Sequence, residues 1–224
     1  SIVYIEPDIV LSHDNSARVR KLFQKMGGEN VLHPDRLVVV LDRKMTGTVN
    51  NMIQDYNSIH DFMEEQCVEH FFDCDKGICH QVLAGFLHQG LVVVGSDSHT
   101  CTAGALDCFA VGLNKTETAY LWKTGKMWFR VPETVKITLS GKFREGVYAK
   151  DLALHILGML RDEDVDYTLV EYHGEGVKEL SISDRMTIAN ISAEAGLKTS
   201  VFPPDDRLAD YFGDYAVQGV WADE

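Results

Sequence analysis

The sequence has no apolar run near the ~20 residues of a membrane-spanning helix. Its first residues, SIVYIEPDIVLSHDN, lack the basic segment and apolar core of a secretory signal. Internal repeats and low-complexity segments are missing as well. These absences argue against a membrane or secreted protein. The composition, 45% hydrophobic and 25% charged residues, is typical of one or two soluble globular domains.

Positive charge is also scarce. The chain has 21 Lys and Arg residues against 34 Asp and Glu residues, which gives a net charge of −13. Nucleic-acid-binding proteins normally carry a basic stripe, and none is visible here, so nucleic acid is not a predicted partner. A small anionic substrate would need a local basic pocket within a repulsive overall field.

Cysteine is present in an odd number and without C-x-x-C spacing. This weakens a disulfide scaffold, a zinc ribbon or an iron–sulfur site within this chain. We expect reduced thiols that mostly fill the core of a cytoplasmic protein. Cys74, Cys79 and His80 could hold a metal only with a further ligand from elsewhere. The five cysteines are Cys67, Cys74, Cys79, Cys101 and Cys108.

Short apolar runs alternate with segments of helical periodicity, which predicts an α/β fold with layered helices and mostly parallel strands. The VPE stretch at 131–133 is the predicted boundary between domains 1–132 and 133–224. We predict strands at 36–41, 70–72, 91–94 (the central strand), 134–139 and 167–172, and helices at 50–67, 102–113, 116–123, 150–160 and 183–195, the last capped by Asp184 near Ser183 and stopped by Gly196.

Polar side chains follow two of the predicted strands. Asp42 follows RLVVVL, and Ser96-Asp97-Ser98-His99 follow LVVV. The carboxyl ends of parallel strands face a ligand cleft in α/β folds, so these groups predict a functional site. The alternative is that Asp97 and Ser98 only cap the next helix. His99 and the threonines after it exceed what a cap requires.

Three further groups are candidates with plain structural alternatives. His80 lies in the predicted loop DCDKGICHQ, where a structural or exposed role is the alternative. His13, Asp14 and Asn15 form a polar group after an apolar segment. Asn190 and Glu194 are four residues apart, hence on one helix face, which a solvated surface would also explain.

Seven motifs occur in an order that resembles the aconitase superfamily, in particular the large subunits of 3-isopropylmalate dehydratase and homoaconitase. The resemblance covers nearly the whole chain, and G-S-D-S-H-T followed by W-F-x-V-P-E and A-K-D is specific. The motifs are LSHDNSA, HPDRLVVVLD, GICHQVL, VVVGSDSHTCTAGAL, TGKMWFRVPETVK, AKDLALHILG and NISAEAG.

The resemblance implies a hydro-lyase that isomerises hydroxy di- or tricarboxylates, as in leucine biosynthesis, with a [4Fe–4S] cluster acting as Lewis acid. It implies a small, swivelling subunit or domain that carries the serine base. By motif, the expected catalytic residues are His80, Asp97, His99 and Glu194, and the expected substrate-binding residues are His13, Asp14, Asp42, Arg43, Ser98 and Asn190.

Two features depart from the family pattern. The cysteines that bind the cluster are expected beyond Glu224, so this chain is expected to lack metal ligands and to be an inactive front portion. Arg43 stands where the family has a histidine after Asp42, and arginine cannot exchange protons near neutral pH. A naturally short, non-catalytic module that binds a carboxylate or a partner subunit is the alternative, and a split enzyme is a third. If the family roles hold, His80, Asp97, His99 and Glu194 converge on one open face.

Overall fold

The computed structural model describes residues 1–42, 50–161 and 163–213. The chain forms two compact units. The first contains residues 1–85, 94–97 and 112–130, and the second contains 86–93, 98–111 and the chain from Val131 onward. The last change of unit falls beside the VPE stretch. The division into domains 1–132 and 133–224 stays a prediction.

Strands and helices alternate along most of the chain, as an α/β fold requires. The strands are β1 (Ile2–Ile5), β2 (Ile9–Ser12), β3 (Leu37–Val40), β4 (His70–Phe72), β5 (Val92–Gly95), β6 (Phe109–Gly112), β7 (Met127–Arg130), β8 (Thr134–Thr138), β9 (Leu169–His173) and β10 (Thr199–Val201). The helices are α1 (Ser16–Lys25), α2 (Asn50–Glu65), α3 (Cys79–Ala84), α4 (Lys115–Thr124), α5 (Ala149–Leu160), α6 (Ile182–Ile191) and α7 (Asp206–Phe212), and short 3-10 helices add Pro34–Arg36, Ser98–Leu106, Glu175–Glu179 and Ser192–Ala195.

The larger sheet has five strands in the order β4-β3-β2-β5-β6. Strands β2, β3 and β4 pair in parallel, with Leu11 opposite Val38 and Val39 opposite Phe71. All four residues of β3 are buried, because an unbroken β-branched run suits a strand covered on both faces. The prediction that LVVV is the central strand is wrong, since β2 occupies the centre.

The second unit contains a parallel three-stranded sheet, β10-β9-β8. Tyr172 from β9 stacks on Phe202 with ring centroids 4.5 Å apart, and both side chains are buried. Helices α5 and α6 contribute Ile156 and Ile188 to the same core. These side chains belong to the apolar core of the second unit.

The prediction of one helix over 102–113 is wrong. Ser98–Leu106 is a 3-10 helix, and Phe109–Gly112 is strand β6. The run of small residues packs closely instead of forming an amphipathic face: a Cβ on Gly104 would lie 1.7 Å from the carbonyl oxygen of Ser200. The chain turns between helix and strand at Asp107, whose φ is 60°.

Two other local predictions need correction. The loop predicted around His80 ends at Ile78, because Cys79–Ala84 forms helix α3. The helix predicted at 183–195 starts at Ile182 and gives way to a 3-10 helix after Ile191. Its N-cap is Ser181, while Asp184 completes a reciprocal capping box instead of capping the helix itself.

The other predicted elements are confirmed within one or two residues. They include α2, α4 and α5, the buried strand β3 and the short strand β4. Gly125 and Gly196 stop their helices in the left-handed conformation. In the part of the chain that the structure describes, no helix combines the length and apolar character needed to cross a membrane.

Candidate functional site

Asp97 lies between two histidines in the first unit. Its carboxylate oxygens are 3.5 Å from His13 Nε2 and 3.2 Å from His80 Nε2. His13 follows β2, His80 is the second residue of α3, and Asp97 follows β5. All three side chains are largely buried, with 14%, 13% and 24% exposure. Helix capping alone does not explain a carboxylate with two imidazole neighbours.

The loop that carries Asp97 is tied to the loop that carries His13. Asn15 Nδ2 donates to the Ser96 carbonyl oxygen at 2.8 Å, and Ser96 Oγ donates to Asn15 Oδ1 at 2.8 Å. The sequence placed both residues within polar groups but gave neither a role. The pairing joins residues 81 positions apart, so no local pattern in the sequence could have revealed it.

Asp42 follows β3, and its Oδ2 accepts a hydrogen bond from the Cys79 amide at 3.1 Å. Burial by itself would raise the pKa of Asp42, but hydrogen bonds from Cys79 and the charge of His13 hold that pKa below its usual range. Burial, followed by the charge of Asp42, raises the pKa of the Cys79 thiol. Asp42 is therefore ionised at neutral pH, while the Cys79 thiol stays protonated and unreactive.

His13, Asp14 and Asp42 are the group of metal-ligand side chains that comes together in the described residues. Their ligand atoms lie within 4.8 Å of one another, and all three residues are partly buried. Two carboxylates and an imidazole would suit a divalent cation. They would equally suit hydrogen bonds to a small polar ligand.

His99 belongs to the second unit, where both of its ring nitrogens have neighbours. His99 Nε2 lies 3.2 Å from Glu194 Oε1, and Nδ1 lies 3.3 Å from Ser98 Oγ. A neutral imidazole has one donor and one acceptor nitrogen. We assign the proton to Nε2, because a carboxylate can only accept, and Nδ1 then accepts from the Ser98 hydroxyl. The imidazole of His99 thus connects a hydroxyl to a carboxylate.

Asn190 supports the segment that carries His99. Its Nδ2 donates to Thr102 Oγ1 at 2.9 Å, and Thr102 Oγ1 donates to the His99 carbonyl oxygen at 2.6 Å. Asn190 lies in α6 and Glu194 in the following 3-10 helix. The surface-face alternative therefore does not describe Asn190, whose amide holds the 3-10 helix of His99 in place.

The structure thus brings the predicted residues together in two groups. The first unit contains His13, Asp14, Asp42, His80 and Asp97; the second unit contains Ser98, His99, Asn190 and Glu194. Arg43 lies outside the described residues. The convergence of His80, Asp97, His99 and Glu194 on one face stays a prediction, as do the individual catalytic and binding roles.

The cysteines do not form a ligand set for an iron–sulfur cluster. All five are free, and Cys79, Cys101 and Cys108 are buried. Cys101 Sγ contacts the Ala189 carbonyl oxygen at 3.2 Å, and Cys74 Sγ lies 3.0 Å from Asp73 Oδ1. Within the described ranges no group of three potential ligands includes a cysteine, and the trio Cys74, Cys79 and His80 does not come together.

Acid–base side chains at the ends of parallel strands are typical of α/β enzymes that act on small molecules. A comparison with known families agrees with this class. The aconitase family (aconitate hydratase) matches residues 1–218, and the chain belongs to that family. The resemblance drawn from the seven motifs is therefore confirmed.

Curated relatives are similar over most of this chain. The 3-isopropylmalate dehydratase large subunit 1 of Methanopyrus kandleri is 41% identical over 213 residues, which cover 94% of this chain and 51% of the relative. The probable methanogen homoaconitase large subunit of Methanosarcina mazei is 37% identical over 213 residues, covering 94% and 54%. The 3-isopropylmalate dehydratase large subunit of Clostridium kluyveri is 35% identical over 219 residues, covering 96% and 52%. The chain spans about half the length of these relatives.

Proposed function

We propose that the chain is part of the large subunit of a hydro-lyase. The reaction would isomerise a hydroxy di- or tricarboxylate, such as 3-isopropylmalate or a homocitrate-type acid, by removing and re-adding water. The relatives named 3-isopropylmalate dehydratase and homoaconitase support this assignment. The observation that carries it is the Asp97 carboxylate between His13 and His80 at the ends of parallel strands.

The dehydration needs a proton donor for the departing hydroxyl. When the carbon–oxygen bond breaks, its electron pair leaves with oxygen, and a proton must reach that oxygen to complete water. The imidazoles of His13 and His80 are side chains that can supply such a proton. Asp97 stabilises an imidazolium at 3.2–3.5 Å and fixes the orientation of both rings. Asp97 is thus the residue on which proton transfer in this unit depends.

The residues of the second unit supply a second proton path in the proposal. Ser98 donates to His99, and His99 donates to Glu194. Glu194 is 62% exposed on its side chain and can exchange protons with solvent or substrate. Asn190 and Thr102 keep His99 in place. The base that takes the carbon-bound proton is proposed to belong to the small subunit.

A [4Fe–4S] cofactor belongs to the proposal only for the complete enzyme. The thiols described here do not fit it, so its ligands would come from the half of the relatives' length that this chain does not span. The relatives' name, large subunit, supports a small-subunit partner in a heterodimer. Cytoplasmic location is part of the same proposal.

The second candidate is a non-catalytic module that binds a carboxylate ligand or a partner subunit. The missing thiol ligand set favours it. The two candidates differ in turnover, because a binding module would hold the hydroxy acid without forming the unsaturated acid.

The test uses the complete large subunit, reconstituted anaerobically with its small subunit. Formation of the unsaturated acid is followed by ultraviolet absorbance with 3-isopropylmalate, homocitrate, citrate and a methyl-substituted malate. We expect turnover of one of these acids. His80→Gln should lower kcat by ~10²–10⁴-fold, the usual contribution of general acid catalysis. His155→Gln, an exposed position on α5, is the control. Binding of an acid without turnover would select the non-catalytic module.

A further inference from the structure

Asn15 occupies a position where asparagine normally caps a helix. It is the N-cap residue of α1, and asparagine is among the preferred residues there. Within the described residues, however, its side chain makes no capping hydrogen bond to α1. The first turn of α1 has no acidic residue either. The Asn15 amide is therefore turned away from the role that its type and position predict.

The amide instead binds both polar groups of one residue. Asn15 Nδ2 donates to the Ser96 carbonyl oxygen, and Asn15 Oδ1 accepts from Ser96 Oγ, each at 2.8 Å. The carbonyl oxygen can only accept, so it fixes which end of the amide carries the NH₂ group. A primary amide offers a donor and an acceptor at this spacing, whereas an ionised carboxylate offers acceptors only. Ser96 is 7% exposed, so little water is available to replace these bonds.

Neighbouring hydroxyl groups agree with this orientation. Ser16 Oγ donates to the His13 carbonyl oxygen at 2.5 Å, so Ser12 Oγ must donate to Ser16 Oγ across 2.7 Å. Ser96 Oγ already donates to Asn15. No hydroxyl hydrogen remains for the contact between Ser12 and Ser96, which accounts for its length of 3.4 Å. Each hydroxyl in the group thus donates to one defined acceptor.

Asn15 and its partner Ser96 each lie next to or near a member of the acid–base group. His13 is two positions before Asn15, and Asp97 directly follows Ser96. We propose that Asn15 is a positioning residue: its amide clamps Ser96 and thereby holds the Asp97 carboxylate against the imidazoles of His13 and His80. This role rests on the proposed hydro-lyase function. It assigns to Asn15 a specific effect on turnover that a helix cap would not have.

Asn15→Asp is the decisive substitution. It keeps the size and the capping ability of the side chain, but it places a carboxylate oxygen against the Ser96 carbonyl oxygen. In the complete enzyme we expect kcat to fall ~10–100-fold, as for a small displacement of a catalytic group. KM should change less than about threefold, because uniform substrate binding is retained. Ser96→Ala keeps the main-chain bond and should lose less.

The matched control is Asn114→Asp. Asn114 caps α4 through hydrogen bonds from the amides of Thr116 and Glu117, at 2.9 Å each. Aspartate preserves such a cap, so activity and melting temperature should both stay unchanged. Asn15→Asp loses a buried hydrogen bond, so it should remain folded but melt ~2–10 °C below the parent protein. Equal kcat for Asn15→Asp and the parent enzyme would overturn the clamp.

A second readout does not depend on turnover. The ¹⁵N NMR signals of the His13 ring in this 224-residue chain report its contact with Asp97. Asn15→Asp should move these signals, and Asn114→Asp should not. If the parent enzyme turns over none of the hydroxy acids, the hydro-lyase proposal fails, and the NMR result alone decides whether the clamp positions Asp97. Unchanged His13 signals in Asn15→Asp would refute it.

Discussion

The ion pair between Arg185 and Asp205 offers a stability prediction for the second unit. Arg185 lies on α6 with a fully buried side chain, and Asp205 is 16% exposed. Arg185 Nη1 donates to Asp205 Oδ1 at 3.0 Å, Nη2 also donates to Asp205, and Nη2 donates to the Val177 carbonyl oxygen at 3.1 Å. Asp205 Oδ1 also accepts from the Leu208 amide and so caps α7.

Asp205→Ala would leave a buried guanidinium without its countercharge. Breaking a buried pair in this way costs ~3–5 kcal/mol. The lost cap of α7 alone would cost ~0.5–2 kcal/mol. The two effects share one side chain and are not additive, so we expect the free energy of unfolding to fall by ~3–5 kcal/mol in total. Urea unfolding followed by circular dichroism measures the change.

Asp206→Ala is the control, because Asp206 is exposed and should change stability by less than ~0.5 kcal/mol. The pH dependence gives a second check. Burial alone would raise the pKa of Asp205, but hydrogen bonds from Arg185 bring it below the ordinary 3.8. The stabilisation is thus present above that value and lost as pH falls through the lowered pKa. The difference between Asp205→Ala and the parent should shrink below about pH 4. A loss under ~1 kcal/mol at neutral pH would refute the reasoning.

Three other substitutions in the second unit have defined outcomes. Gly104→Ala places a Cβ 1.7 Å from the Ser200 carbonyl oxygen and should destabilise by at least ~3 kcal/mol in urea unfolding, whereas Gly158→Ala in α5 meets nothing within 4 Å and should stabilise by ~0.5–1 kcal/mol. Equal effects of the two substitutions on the free energy of unfolding would contradict the close contact between Gly104 and Ser200. Burial, followed by the charge of Glu171, raises the pKa of Asp107 to about 7, so the parent should lose stability as pH rises from the ordinary 3.8 towards 7. Asp107→Asn should remove that loss, because asparagine tolerates the φ of 60° at this position. If the free energies of unfolding of the variant and the parent changed in parallel between pH 5 and 8, the inference would be wrong.

Local patterns predicted much of the fold. The β-branched run of β3 and the apolar periodicity of α5 were sufficient for correct elements. Patterns failed where tertiary contacts decide the structure. Strands β1 and β7 were not predicted. Their paired residues Tyr4 and Trp128 are both exposed, so no alternation of apolar and polar residues marks this pairing in the sequence. The 3-10 helix at Ser98–Leu106 depends on its close approach to β10, which no local periodicity records.

The candidate site was also predictable only where local patterns indicated it. Polar residues after β3 and β5 indicated a site, because the ends of parallel strands share an edge. The choice of partners was not predictable. His80, which contacts Asp97, lies on the short helix α3, where the sequence predicted a loop. The sequence placed Asn15 in a polar group without giving it a role, and its long-range bonds to Ser96 appear only in the structure.

The central claim is that the Asp97 carboxylate serves proton transfer between His13 and His80 instead of capping the following helix. Asp97→Ala in the complete, reconstituted enzyme tests it most directly, with kcat and the free energy of unfolding measured on the same preparation. We expect kcat to fall by ~10²–10⁴-fold while stability changes by less than ~1 kcal/mol. An active enzyme whose only change is a loss of ~1 kcal/mol in stability would instead identify Asp97 as a helix cap and contradict the account.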